Sequence, residues 1–172
     1  MRTYKTDIPS NSLTRQYLPV DYTDAFACEA DNTLKLPADE IMIRFWTTSP
    51  TWVNALFKLR NALVRPFGLE AGEKDKTSEA LREMILSGNG KNGLMSVANK
   101  SSNETVVLLS DKHLDAYMAV YTNETGSGNT VTVITLVRYR KLLGKIYFFF
   151  IRPFHKVIVK SMLKSILTEQ II

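Results

Sequence analysis

This chain has little of what most catalytic and metal-binding sites are built from. Its 172 residues include one cysteine, Cys28, and two histidines, His113 and His155. A lone cysteine forms no internal disulfide and completes no cysteine-based metal site. HExxH, cysteine-pair and EF-hand patterns are absent, so neither a resident metal nor another cofactor is expected. The glycines at 126 and 128 lack the lysine-serine ending and the following helix of a phosphate loop, and read as a turn. No uninterrupted apolar run exceeds six residues, and the one at Ile146–Ile151 is stopped by Arg152 and Pro153. A membrane-spanning helix needs about 20 apolar residues. The opening, MRTYKTDIPSNS, is polar and lacks the apolar core of a secretory signal. The expectation is a cytoplasmic protein without a transmembrane segment.

The apolar fraction of 45% and charged fraction of 23% are ordinary for a globular chain. Cys28 reads as a small half-buried hydrophobe. Asp24 and Glu29 beside it oppose a reactive, low-pKa thiol. Charge is unevenly spread. The net +5 divides into +7 over residues 125–172 and −2 over residues 1–124. A basic C-terminal third suits contact with nucleic acid or an anionic membrane surface, while the simpler reading is a solvated helix face. The aromatics sit in apolar stripes rather than beside the basic residues, which argues against nucleic acid as a partner.

Along the chain, residues 1–16 read as a flexible or extended lead-in and residues 17–172 as one domain. Asp21–Glu29 has the composition of a strand. Pro37 precedes a short helix, Ala38–Thr47, and Ser49-Pro50 opens a second at about 51–64. Ser78–Leu86 suits a short helix or an irregular strand. From Gly93 the pattern turns to strands: Leu94–Ala98, Thr105–Leu109, Leu114–Tyr121 and Thr130–Tyr139, separated by polar or glycine-rich turns.

The segment from Gly144 onward has helical periodicity. Ile151, Ile158, Met162 and Ile166 share one side, flanked by Tyr147, Phe148 and Phe154, while Lys156, Lys160 and Lys164 form a row on the other. Pro153 kinks this helix or else marks its start after a strand through Ile146–Ile151. The kinked helix is preferred.

Three anomalies stand out. Arg60 falls inside the apolar arc made by Trp52, Leu56 and Leu63, where a guanidinium must snorkel, pair or meet a ligand. His155 sits on the inward face of the long helix, as a hydrogen-bonded core residue or an acid or base. His113, Asp115 and Tyr117 point one way along a strand, opposite Leu114, Ala116 and Met118. The apolar set most simply faces the core, which leaves His113 and Asp115 at the surface. In a cavity-containing fold they would line the pocket instead. A Cys28–histidine nucleophilic pair has no support beyond the presence of both residue types.

The pieces DYTDAF at 21–26, SPTWVNALFKLRNALVRPFGL at 49–69, DKHLDAYMAV at 111–120 and GKIYFFFIRPFHKVIVKSML at 144–163 resemble the bacterial family known as domain of unknown function 2867. The element order resembles the α+β helix-grip fold of the Bet v 1-like and START-like (SRPBCC) superfamily. There, a curved antiparallel sheet wraps a long C-terminal helix, and two short helices follow the first strand. The resemblance implies that fold and an internal cavity for a small hydrophobic or amphipathic molecule, but no established reaction. On that expectation the lining would include Arg60, His155, His113, Asp115, Tyr117, Trp52 and Phe148. A hydrolase or cyclase of the same fold, with His155 as acid or base assisted by Asp115 or Arg60, is the alternative. A basic-surface interaction module is the third.

Overall fold

A computed structural model describes residues 2–30, 36–48, 78–125 and 128–168. Strand β1 (Thr3–Lys5) and a 3-10 turn (Leu13–Tyr17) precede β2 (Tyr22–Ala30) and helix α1 (Ala38–Thr47). Helix α2 (Ser78–Ser87) leads into β3 (Lys91–Asn92), β4 (Met95–Lys100), β5 (Glu104–Ser110), β6 (Leu114–Thr125) and β7 (Gly128–Tyr139). The chain closes with helix α3 (Leu142–Thr168). The class is α+β. The seven described strands make one open antiparallel sheet in the order β1-β2-β7-β6-β5-β4-β3.

The strands form where β-branched and aromatic residues alternate. The alternation sends Tyr22, Asp24, Phe26 and Cys28 of β2 to one face. That face continues across the sheet in the pairs Asp24–Thr135 and Phe26–Val133, then Thr135–Met118 and Val133–Val120. Helices α1 and α3 cover it. Phe26, Cys28, Met42, Phe45, Val107, Val133, Met162, Leu163 and Ile166 form its main cluster. Each fully buried large side chain contributes about 1.5–3 kcal/mol.

The other face is buried as well. Ala25, Val106, Ala119, Ile134 and Leu136 lie under Ile8, Leu13, Tyr17 and Val20 of the N-terminal segment. Glu104, 1% exposed, holds that segment down. Its carboxylate accepts from the Ser12 hydroxyl at 2.7 Å and from the Leu13 backbone N–H at 2.7 Å. Residues 2–20 therefore include a paired edge strand and a packed turn.

The short helix expected after Pro37 matches α1 over its full observed span, and Ser78–Ser87 resolves as a helix. The strand edges agree to within four residues, with no shift at Leu114 and Tyr139, and β1, β3 and the 3-10 turn are additional. The helix expected at about 51–64 lies outside the described residues. From Leu142 to Thr168 the chain is a single helix with Pro153 inside it, so Ile146–Ile151 is helical and not a strand. Proline removes one backbone N–H from the ladder, and the inward packing of Phe148 and Val159 on either side outweighs that loss.

The start of α3 is fixed by a close backbone approach. The His113 carbonyl accepts from the N–H groups of Arg140 and Lys141 at 2.8 and 3.1 Å. Gly144 packs against the same carbonyl, and a Cβ on residue 144 would lie 2.3 Å from its oxygen. Backbone cannot yield there as a flexible side chain would. Gly144→Ala is expected to cost about 2–3 kcal/mol, within the usual range for overpacking. The check is urea unfolding, with a lowered midpoint and an unchanged slope.

Candidate functional site

A buried carboxylate lies beneath α3. Asp24 is central in β2, with its side chain 2% exposed, and its direct cross-strand neighbour is Thr135. The Tyr22 hydroxyl, two residues earlier on the same face, donates to Asp24 Oδ2. His155 comes down from α3, and its Nε2 lies 3.5 Å from the same Oδ2. Phe148, two turns earlier on α3, packs on the Tyr22 ring at 4.8 Å and sits 6.1 Å from the His155 ring. Arg152 roofs the Tyr22 ring at 5.0 Å, a cation–π arrangement.

The electrostatics follow from this packing. Burial alone would raise the Asp24 pKa. The neighbouring His155, Tyr22 and Thr135 together outweigh burial and hold it below the usual carboxylate range. Burial and the adjacent Asp24 push the Tyr22 phenol far above its ordinary value, so Tyr22 stays a donor. The cluster is nevertheless incompletely bonded. Asp24 Oδ1, Thr135 Oγ1 and His155 Nε2 are all buried without a hydrogen bond of good geometry. Buried polar atoms are normally paired.

The residues singled out from sequence are distributed as follows. His155 and Phe148 meet in this cluster. Arg60 and Trp52 lie outside the described residues. Asp115 and Tyr117 lie on the opposite face of the sheet from His155. Tyr117 stacks on Tyr17 with ring centroids 4.2 Å apart. Asp115 accepts from Ser110 Oγ at 2.6 Å and from two nitrogens of Arg140 at 2.9 Å each. It is the centre of a bidentate clamp.

The expected surface position of His113 and Asp115 needs correction. Both are buried, at 6% and 7% exposure. The apolar set does face the helices, but the N-terminal segment buries the reverse face too, so the two faces do not divide into core and solvent. His113 also precedes β6 and lies in the turn, outside the strand alternation. Both of its ring nitrogens lack a hydrogen-bond partner. Cys28 is fully buried on the helix side of β2, and burial pushes its thiol up. It stands four residues from Asp24, about 13 Å along a strand, away from His155.

Sequence reasoning missed Asp24, Tyr22 and Thr135 as members of the site. A signal was available. Phe26 and Cys28 share Asp24's side of β2, so the alternation that buries them buries the carboxylate. Among the described residues no group of three or more His, Cys, Asp or Glu could hold a metal ion. No described helix is long and apolar enough to cross a membrane.

A family model described as Protein of unknown function (DUF2867) matches residues 17–162. No curated protein and no solved structure matches the chain.

The depressed Asp24 pKa makes a sign-specific prediction. A carboxyl whose folded pKa is lowered contributes stability that is complete above its unfolded value, about 3.9, and is lost as pH falls through the folded value. Asp24→Asn is expected to be less stable than the native protein at pH 7. The difference narrows as pH falls below the unfolded value and through the lower folded one. Melting temperatures of the two proteins between pH 7 and pH 3 read this directly.

Proposed function

The chain belongs to the DUF2867 family of unknown function, and we propose that it binds a small hydrophobic or amphipathic molecule between the sheet and α3. The observation that carries this reading is a buried polar cluster inside the apolar core, in which Asp24 Oδ1, Thr135 Oγ1 and His155 Nε2 make no hydrogen bond of good geometry. Small-molecule sites are mostly apolar, with a few placed polar groups that fix orientation. A hydroxyl or amine head would take those atoms as partners, and an apolar tail would run along the adjoining core.

That core is rich in methionine. Met42, Met84, Met95, Met118 and Met162 all belong to it, five of the chain's six. Unbranched thioether side chains repack around a guest at low cost. The order strand, helix, strands, long helix supports reading the fold as helix-grip, within the SRPBCC superfamily.

A second reading is favoured by one contact. Asp24 beside His155 is a carboxylate–imidazole pair of the kind that orients a general acid or base. In a hydrolase or cyclase on this fold, Asp24 would take the assisting role, because Asp115 faces the other way. Catalysis would appear as hydrolysis of an aryl ester such as p-nitrophenyl butyrate. His155→Gln would abolish it, and activity unchanged in that variant would exclude the role.

Binding is tested with three twelve-carbon probes, 1-dodecanol, dodecylamine and dodecanoate. Trp46 packs against the same core, so its emission reports occupancy. The alcohol and amine are expected to bind more tightly than the carboxylate, which the Asp24 anion repels. Asp24→Asn should weaken the amine about tenfold, the equivalent of 1.4 kcal/mol. If no probe shifts the emission, and native mass spectrometry of the purified protein shows only the bare chain, the binding reading fails.

A further inference from the structure

The outward side of α3 is apolar where a solvated helix face would be polar. Leu142, Ile146, Phe149, Phe150 and Val157 recur at three- and four-residue spacings and form one stripe on the side away from the sheet. Leu142 and Phe149 are each 72% exposed and Phe150 is 62% exposed. Phe154, also exposed, widens the stripe on one edge. Single exposed apolar residues need no explanation, but a contiguous patch of them marks a binding surface. The Phe149 and Phe150 rings meet edge to face at 5.5 Å.

Cations border the stripe. Lys145 and Lys156 line its other edge, Lys141 stands at its head and Lys164 follows where the apolar residues end, while Arg152 and Lys160 turn back over the Tyr22 and Phe26 rings at 5.0 and 4.9 Å. Residues 125–168 contain eight lysines and arginines and no acidic residue. An exposed apolar face bordered by basic residues, on a helix that does not qualify as a membrane span, is the arrangement of a helix lying in a lipid–water interface. Aromatic and aliphatic side chains enter the acyl boundary, and flanking lysine and arginine stems reach headgroup phosphates.

We propose that the outward face of α3, from Leu142 to Val157, docks the protein on an anionic membrane surface. The charge decides between possible occupants. A second copy seated by two-fold symmetry would bring two all-basic borders together. Nucleic acid would use the cations but leave the phenylalanines in water. An anionic bilayer satisfies both halves of the surface.

The test uses the full chain and vesicle flotation. Vesicles of phosphatidylcholine with about a third phosphatidylglycerol are compared with pure phosphatidylcholine, as membrane binding of this type follows anionic lipid content. The expected result is co-flotation with the anionic vesicles at low salt, weakening on the order of tenfold as salt rises toward a Debye length near 3–5 Å. Phe149→Ser with Phe150→Ser should abolish it while circular dichroism stays native, since both rings are exposed. Lys141→Glu with Lys145→Glu should reduce binding to anionic vesicles by at least tenfold through charge alone, an independent check should the first variant misfold. Absence of flotation with anionic vesicles overturns the proposal. So does retention of DNA or RNA with no vesicle binding, or a dimer that the serine variant dissociates with no vesicle binding.

Discussion

The contact of Gly144 with the His113 carbonyl sets the position of the whole C-terminal helix. The same oxygen receives the N–H groups of Arg140 and Lys141, so the end of β7 turns directly into α3 against the end of the β5–β6 turn. From that anchor, helical geometry does the rest. Phe148 follows one turn later and His155 three turns later, about 16 Å along the axis at ~1.5 Å per residue. At about 100° per residue both return to Gly144's side of the helix. The imidazole is thereby brought over Asp24, on the edge side of the sheet's centre. An error of one residue in the helix start would turn His155 by about 100° and leave the carboxylate with Tyr22 alone.

A second constraint comes from burial on both faces. A sheet with helices on one side only can leave its reverse side polar. Here the reverse side carries Ile134, Leu136, Val106 and Ala119, and the N-terminal segment covers them. Glu104 anchors that cover through Ser12 and Leu13, and Tyr121 adds a hydrogen bond to Asn11 at 3.0 Å. The two faces then have separate duties. Acidic and hydroxyl groups on the reverse side, Glu104 and Asp115 among them, are saturated by partners and hold structure together. On the helix side, the Asp24 cluster keeps atoms unpaired.

The elements with strong local signals were legible in the chain. Helix α1 has a proline at its head and acids in its first turn, and β5, β6 and β7 have long β-branched runs between polar turns. α3 was legible through its periodicity even across Pro153, because apolar spacing over seven turns outweighs one missing hydrogen bond. The N-terminal strand was not, since Thr3–Lys5 is three residues of neutral composition whose structure comes from pairing with β2. At the site, His155 and Phe148 could be read from helix geometry. Asp24 could not be distinguished from a surface acid by type alone, and only the burial of Phe26 and Cys28 on its side of the strand reveals it. His113 and Asp115 were misplaced by a one-face assumption that a doubly covered sheet does not obey.

Helix α3 departs from the usual distribution of polarity along its first half. Its inward side holds an imidazole facing a carboxylate, and its outward side holds leucine, isoleucine and phenylalanine. Folding stability selects neither. A buried polar group with an unsatisfied atom costs on the order of 1–3 kcal/mol, and exposed phenylalanine contributes nothing to the core. The second half of the same helix, from Val159 to Leu167, shows the ordinary arrangement, with Met162, Leu163 and Ile166 inward and Lys164 exposed. The contrast within one continuous element sets the segment 142–157 apart. Where local rules are broken without a structural return, the explanation belongs to something outside the fold. On the inner side the proposed occupant is a guest with a polar head, and on the outer side the proposed partner is a surface that accepts aromatic rings and cations together.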